Sequence, residues 1–194
     1  MSPLILPLQN LAERHPGITP ELAACYYQAA CICLSQHHIS PITFTIVTEN
    51  ASYIALAEWE PPTQRQLAAW ANQTDVTELG AYACALAAIE LISGLIAVKR
   101  AEAATGADYF LAPAGQPIPT SAAKIKGLLR LEISGTHLGE QEVESRLRRK
   151  LRQAEQGQSR VPAMAAVVGF QVAQIMIHQL GVETYGLDTT SPKQ

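Results

Sequence analysis

Charged residues are scarce in this chain. They make up 16% of its 194 residues, and the net charge is −3. A protein that coats nucleic acid without sequence preference needs many Lys and Arg residues near the phosphates, so this balance argues against that class and leaves room only for a local basic face. Apolar residues make up 48%. That share excludes a disordered chain and is typical of a globular domain with a buried core.

Cysteine is also sparse, and the four thiols do not form a recognisable metal or disulfide pattern. They are Cys25, Cys31, Cys33 and Cys84, with no CxxC pair. The spacing of Cys31 and Cys33 is too tight for a zinc knuckle. We interpret the cysteines as small apolar residues of a protein in a reducing compartment, with metal or disulfide roles as the weaker alternative.

No targeting signal is evident at the start of the chain. Its first ten residues, MSPLILPLQN, lack a charged segment and are broken by Pro3 and Pro7, which argues against a signal peptide. The longest apolar run, residues 79–98, contains Glu90 and Gly94. This mixed run predicts a buried helix followed by a strand rather than a membrane span. We therefore expect a cytoplasmic protein without membrane contacts.

Residues 1–74 are expected to form an extension packed on the rest of the protein. Thr19 and Pro20 are typical of a helix start, and the helix should run to about Gln36. Two β-rich segments, 42–48 and 52–57, predict a hairpin, and a short helix is expected within 63–71.

Residues 75–181 are expected to form the core domain, followed by a polar, flexible tail at 182–194. The predicted elements are a helix at 75–93, strands at 95–100, 107–112 and 125–134, a helix at 139–156 and a strand at 163–170. Segment 172–181 fits either a strand or a short helix. Short turns make the first three strands antiparallel neighbours, and the helical crossover allows the last strand to pair in parallel.

Two acids in this core could form a site. Asp108 interrupts an apolar strand, and strand alternation places Arg130, Glu132 and Ser134 on one face of the next strand. If these strands pair, Asp108 and Glu132 can converge. Neighbouring carboxylates repel each other unless a cation lies between them, and Mg²⁺ prefers such oxygen ligands.

An acid on one strand and a Glu-x-Lys-like segment on the next, within an αβββαβ order, resembles the PD-(D/E)xK nuclease superfamily. The resemblance covers about residues 75–170 and rests on Ala107-Asp108 and on Glu132-Ile133-Ser134. It implies a restriction-endonuclease-like fold with a mixed sheet flanked by helices. Ser134 stands where the superfamily has its catalytic Lys. The runs at 105–111 and 130–135 also resemble a bacterial family without an assigned function.

The resemblance implies a set of site residues. Asp108, Glu132 and the Ile133 carbonyl would bind Mg²⁺, with Glu78 as an additional acid. Ser134 cannot act as a base at neutral pH, so a basic residue from another element would be needed. The candidates are Lys99, Lys126 and Arg130.

Each candidate also has a structural explanation. Glu78 lies three residues after Asp75, which fits a helix capping box. Asp108 follows Thr105-Gly106 and could simply close a turn at a strand edge. Glu132 could simply pair with Arg130 or with a neighbouring strand. The basic residues of segment 146–152 fit a solvated helix face stabilised by i,i+4 pairs with Glu142 and Glu144 better than a phosphate-binding patch. His137 follows the third strand closely enough to reach its end.

Two functional hypotheses follow from these residues. The first is a Mg²⁺-dependent nuclease that hydrolyses phosphodiester bonds in DNA or RNA. The second is a non-catalytic module with the same fold that acts through protein contacts, as a homodimer for example, since its Ala-rich helices permit close packing. The missing lysine and the acidic net charge favour the second hypothesis, and the retained acids favour the first.

Overall fold

The computed structural model describes residues 4–102, 107–115, 128–156 and 161–180. These residues form a mixed α/β fold with an eight-stranded mixed sheet flanked by helices. The strands are β1 (Leu4–Ile5), β2 (Ile42–Val47), β3 (Ser52–Ala57), β4 (Leu95–Arg100), β5 (Tyr109–Pro113), β6 (Leu129–Thr136), β7 (Ala163–Gly169) and β8 (Gln174–Leu180). The helices are α1 (Leu11–Arg14), α2 (Pro20–Ser35), α3 (Gln64–Ala69), α4 (Gln73–Ser93) and α5 (Glu140–Gln156).

The sheet runs in the order β1-β3-β2-β8-β7-β6-β5-β4. The expected helix and hairpin of the N-terminal segment are confirmed: Thr19 caps α2 by accepting the Leu22 N–H, and β2 pairs antiparallel with β3. β2 also pairs in parallel with β8. The N-terminal hairpin and the C-terminal part of the chain therefore share one sheet.

The element order of the second half is the one expected from the sequence. α4 is followed by the antiparallel strands β4, β5 and β6, and α5 then leads to β7, which pairs in parallel with β6. Segment 172–181, left open by the sequence, contains a strand, β8, which is antiparallel to β7. The turn expected at Thr105-Gly106, the start of the predicted third strand at 125–127 and the predicted tail lie outside the described residues.

The two faces of the sheet contact different helices because side chains alternate along each strand. In β7, Met164, Ala166 and Val168 pack into the large core with α2 and α4. Ala165 and Val167 point the other way, into a smaller cluster with α5. The sheet is therefore covered by α4 on one side and by α5 on the other.

Helix α4 is buried in the main core. It is the one helix within the described ranges that is long and apolar enough to span a membrane, and more than half of that apolar window is buried. Gly80 approaches the Ala29 backbone so closely that a Cβ would lie 3.1 Å from it. Small residues thus let α4 pack against α2 within the same chain. Gly94 ends α4 in a left-handed conformation and β4 follows, so the predicted succession of helix and strand is confirmed.

The cysteines behave mostly as predicted. Cys31, Cys33 and Cys84 are buried and Cys25 is exposed, all as free thiols. Burial raises the pKa of the Cys33 thiol to about 12, so this side chain is an inert apolar group at neutral pH.

Candidate functional site

A cleft of about 440 Å³ opens between the first turns of α4 and the side of α5, at the end of β6. The sequence-predicted residues Glu78, Asp108, Ile133 and Ser134 lie among those that line it. The complete lining is Gln73, Thr74, Thr77, Glu78, Asp108, Ile133, Ser134, Gly135, Thr136, His137, Leu138, Arg146 and Lys150.

Asp108 lies where β5 separates from β6. The first register pair of β5 and β6 is Tyr109 with Leu131, so Asp108 precedes β5 instead of lying within it as the sequence predicted. Beyond this pair, the Ile133 N–H donates to Asp108 Oδ2 over 2.8 Å. β6 then continues to Thr136 in register with β7. The Asp108 carboxylate thus accepts the hydrogen bond that a backbone carbonyl of β5 would accept in a continuous pair of strands. This bond fixes the carboxylate at the wall of the cleft.

Tyr82 of α4 connects Asp108 to Glu78. Its hydroxyl lies 2.8 Å from Asp108 Oδ1 and 2.9 Å from Glu78 Oε1. Burial, assisted by the Asp108 charge, raises the pKa of Tyr82 well above its usual range, so the hydroxyl keeps its proton. One proton can be donated to only one carboxylate at a time. The two acids are therefore close, and Tyr82 cannot satisfy both of them at once.

Arg100 at the end of β4 offsets part of this negative charge. Its Nη2 donates to the Tyr82 hydroxyl oxygen over 3.1 Å and lies 3.9 Å from Asp108 Oδ1. The guanidinium also stacks over the rings of Tyr82 and Tyr109, at 4.6 and 4.8 Å from their centroids. These contacts hold the Asp108 side chain in one orientation.

The capping role considered for Glu78 is not observed. α4 begins two residues earlier than expected, and Asn72 is its N-cap, with a side chain that accepts from the backbone of Thr74 and Asp75. Glu78 therefore lies beyond the first turn, where it binds Tyr82 and faces the cleft.

Glu132 points to the opposite face of the sheet, towards α5. Its side chain is only 11% exposed, and Oε2 accepts a hydrogen bond of 2.6 Å from Lys150 Nζ. Glu132 does not line the cleft itself, whereas Lys150 does. The structure thus brings Asp108 and Glu78 together directly, and it connects Glu132 to the cleft through Lys150.

The basic residues proposed from sequence lie elsewhere. Lys99 pairs with the exposed Glu102 over 3.1 Å. Arg130 is buried and donates to the carbonyls of Val161 and Ala154. Neither side chain lines the cleft, and Lys126 lies outside the described residues. The suggested Arg130–Glu132 pair is replaced by Lys150–Glu132.

Arg146 is the second cation of the cleft. Its Nη1 donates to the Gly135 carbonyl over 2.9 Å and lies 3.5 Å from Ser134 Oγ. Its Nε binds Glu142, and this confirms the expected i,i+4 pair. Ser134 therefore lies next to a guanidinium.

Two histidines meet at the mouth of the cleft. His137 Nδ1 lies 2.8 Å from His37 Nε2, and His137 Nε2 lies 2.9 Å from Thr77 Oγ1. Burial lowers the pKa of both imidazoles. Repulsion by His37 lowers the pKa of His137 further, and repulsion by His38 does the same for His37. His137 reaches the end of β6 and lines the cleft, and both of its ring nitrogens are engaged by neighbouring side chains.

Sequence reasoning overlooked Lys150 and Arg146 as individual site residues. It treated the basic residues of α5 as one group, although Glu142, Arg146 and Lys150 follow each other at i, i+4 and i+8. That spacing places them in one row along the helix. The row runs next to the buried stripe of Val143 and Leu147, and this was the signal that these cations face the sheet.

Within the described ranges, no three His, Cys, Asp or Glu side chains form a group able to hold a metal ion. The chain matches no family model, no curated protein and no solved structure. The functional argument therefore rests on the geometry of the cleft.

Proposed function

We propose that this protein is a divergent Mg²⁺-dependent nuclease with a restriction-endonuclease-like core, in which Lys150 takes over the role of the missing motif lysine. The observation that carries the proposal is the 2.6 Å contact between Lys150 Nζ and Glu132 Oε2 beside the cleft that contains Asp108. A lysine from α5 thus lies next to the Glu of the Glu-x-Ser segment, and the strand residue two positions later is Ser134.

The order of elements supports the same proposal. The antiparallel strands β4, β5 and β6, the crossover α5 and the parallel strand β7 follow the order that the resemblance implies. Asp108 stands where β5 leaves β6, so its carboxylate borders an open cleft instead of a continuous ladder.

The acids fit a Mg²⁺ site in which the protein supplies only one or two ligands. Mg²⁺ keeps several waters and needs only one or two carboxylates in addition to substrate phosphates. Asp108 and Glu78 both line the cleft and share the single Tyr82 proton, so a cation would relieve their repulsion. When bound, Mg²⁺ would acidify a water molecule and compensate charge on the phosphate oxygens.

The chain's own residues would perform the remaining work. Tyr82, Arg100 and the Ile133 N–H orient Asp108. Arg146 adds a fixed positive charge beside Ser134. The Lys150 ammonium can neutralise developing negative charge on a phosphate, which the uncharged Ser134 cannot do.

Calorimetric titration of Mg²⁺ and Mn²⁺ tests the metal site. We expect binding by the wild type and its loss in the Asp108→Ala/Glu78→Ala double variant, because these two acids line the cleft. Cleavage of labelled DNA and RNA by the same samples tests the enzyme. If the wild type binds no metal and cleaves neither substrate, the nuclease proposal fails and the non-catalytic module remains.

Matched lysine variants test the assignment of Lys150. Loss of a general base or of its charge costs about 10²–10⁴-fold in rate. We expect Lys150→Met to lose cleavage on that scale while Lys99→Met remains close to wild type. If Lys99→Met loses cleavage and Lys150→Met does not, Lys99 is the residue that replaces the motif lysine and Lys150 has no role in the site.

A further inference from the structure

Helix α5 has three distinct sides. Val143, Leu147 and Ala154 are buried against the sheet. Arg146 and Lys150 line the cleft on one flank of this buried stripe. With 3.6 residues per turn, Arg149 lies one turn after Arg146 and about 60° farther from the sheet around the helix. Arg152 lies about 60° beyond Arg149, and Arg148 lies about 160° from Arg146, on the far side.

The cations on this helix differ in how far they are already compensated. Arg146 binds Glu142, Lys150 binds Glu132, and Arg148 lies 3.5 Å from Glu144. Arg152 and Arg149 are exposed, and neither makes an ion pair with any other residue that the structure describes. Of the two, the one nearer to the cleft is Arg149. Its charge therefore remains available at the outer edge of the cleft.

The opposite rim of the cleft is polar. Gln73 and Thr74 lie in the first turn of α4, where the helix dipole is positive, and His137 lies beside them. The acids Glu78 and Asp108 occupy the interior. Negative charge inside the cleft repels a polyanion unless it is compensated, so an anionic strand needs a positive edge by which to enter or leave.

We propose that Arg149 binds a backbone phosphate of a nucleic-acid strand that leaves the cleft along the Arg146–Lys150 flank of α5. This assignment rests on the proposed nuclease function and adds the direction in which the strand runs. The far side of the same helix, with Arg148, does not contact the strand. The phosphate backbone is the common chemistry of DNA and RNA, so both are substrates for the test.

The test compares two single-charge variants of one helix. Arg149→Ala and Arg148→Ala each remove one exposed guanidinium, and the two positions lie about 100° apart around the helix. Binding is measured by fluorescence anisotropy in EDTA, with labelled 20-nucleotide single-stranded DNA, the matching RNA and the DNA duplex, over a range of salt concentrations. Because EDTA removes divalent cations, the readout does not depend on metal binding or cleavage.

We expect Arg149→Ala to weaken binding about 5–10-fold and to reduce the salt slope by about one, as the loss of one phosphate contact does. Arg148→Ala should stay within about twofold of wild type. Equal losses in both variants, an unchanged affinity in Arg149→Ala, or no binding by the wild type would overturn the proposal. Metal calorimetry tests the proposed function separately. If nucleic-acid binding depends on Arg149 but calorimetry finds no metal site, the strand contact stands and the nuclease proposal fails.

Discussion

Glu132 depends on a single described cation. Its carboxylate is almost fully buried, and Lys150 donates to it over 2.6 Å. A buried charge that loses its partner keeps its desolvation cost. We expect Lys150→Met to lower the free energy of unfolding by about 2–3 kcal/mol, as measured by urea denaturation at pH 7.

A double-mutant cycle separates this ion pair from packing. Glu132→Gln removes the charge and retains the shape, so the double variant Glu132→Gln/Lys150→Met should be destabilised by less than the sum of the two single variants. We expect a coupling energy of at least about 1 kcal/mol, as is usual for residues in direct contact. Additive effects would show that the pair adds nothing to stability and that Lys150 is held in place by other contacts.

His15 should make stability depend on pH. Its ring is fully buried, Nδ1 accepts the Ala97 N–H over 2.9 Å, and Nε2 lies 3.0 Å from Glu90 Oε2. Burial lowers the pKa of His15 below 6.5, despite the opposing effect of Glu90. A proton on Nδ1 would also face the Ala97 N–H. The neutral ring with its proton on Nε2 therefore fits the folded protein.

The direction of the pH effect follows from that lowered pKa. Below about pH 6.5 the unfolded chain takes up a proton on this histidine before the folded protein does, so the free energy of unfolding falls as the pH drops towards the folded pKa. We expect the urea midpoint to decrease between pH 7.5 and pH 5.5. In His15→Gln the decrease should be smaller, although this variant is less stable at pH 7.5. The same slope in both proteins would assign the effect to other groups.

At the scale of helices and strands, repeating patterns were predictable and contacts between elements were not. The spacing of Val143, Leu147 and Leu151 predicted α5, and the structure confirms it. Which flank of α5 meets β6 depends on how the helix crosses the sheet, and a helical period does not contain that information. For this reason Lys150 was counted with the solvated cations, and its contact with Glu132 was missed.

The ends of helices and strands differ from the predicted ones where a side chain forms a hydrogen bond that was expected from the backbone or from another residue. Asn72 caps α4 before Asp75 can do so. The Asp108 carboxylate accepts the Ile133 N–H, so β5 starts at Tyr109. The candidate acids were identified from sequence because they stand out in apolar strands. Their partners, Tyr82 and Arg100, come from other elements and look like ordinary core and strand residues in the sequence.

Strand β6 and helix α4 approach each other closely at Gly135. A Cβ there would lie 2.8 Å from the Thr77 carbonyl oxygen and 3.0 Å from the Ala81 Cβ. We expect Gly135→Ala to destabilise the fold by about 1–3 kcal/mol, the usual cost of overpacking, and to disturb the cleft at Thr77. Thermal unfolding followed by circular dichroism measures the loss.

Gly139 provides the control for this substitution. It precedes α5, its carbonyl accepts from Glu142 and Val143, and a Cβ at this position would meet nothing within 4 Å. Serine is favoured before a helix, so Gly139→Ser should be neutral or slightly stabilising. If Gly135→Ala is as stable as Gly139→Ser, α4 can move away from β6 at little cost, and the cleft is less rigid than the contacts indicate.

At the scale of the whole molecule, the N-terminal segment is joined to the remainder in two ways. β2 pairs with β8 in the continuous sheet, and Arg14 and His15 both bind Glu90 of α4. Cutting these connections would expose the apolar surface between α2 and α4. The free energy of that interface therefore couples the unfolding of the two segments.

We expect unfolding to be a single transition. Trp59 and Trp70 both lie in the N-terminal segment, so their fluorescence reports on it, whereas far-ultraviolet circular dichroism also reports on α4 and α5. The two urea midpoints should coincide, as they do in two-state domains. Glu90→Ala removes the carboxylate that Arg14 and His15 share, while Arg14 keeps its backbone carbonyl acceptors. It should lower the free energy of unfolding by about 1–3 kcal/mol, so that both urea midpoints fall together. A fluorescence transition that precedes the change in circular dichroism would show that the N-terminal segment detaches first. In that case the pairing of β2 with β8 would be weaker than the contact between the core strands β6 and β7, and the hairpin would act as a separable attachment to the domain that contains the cleft.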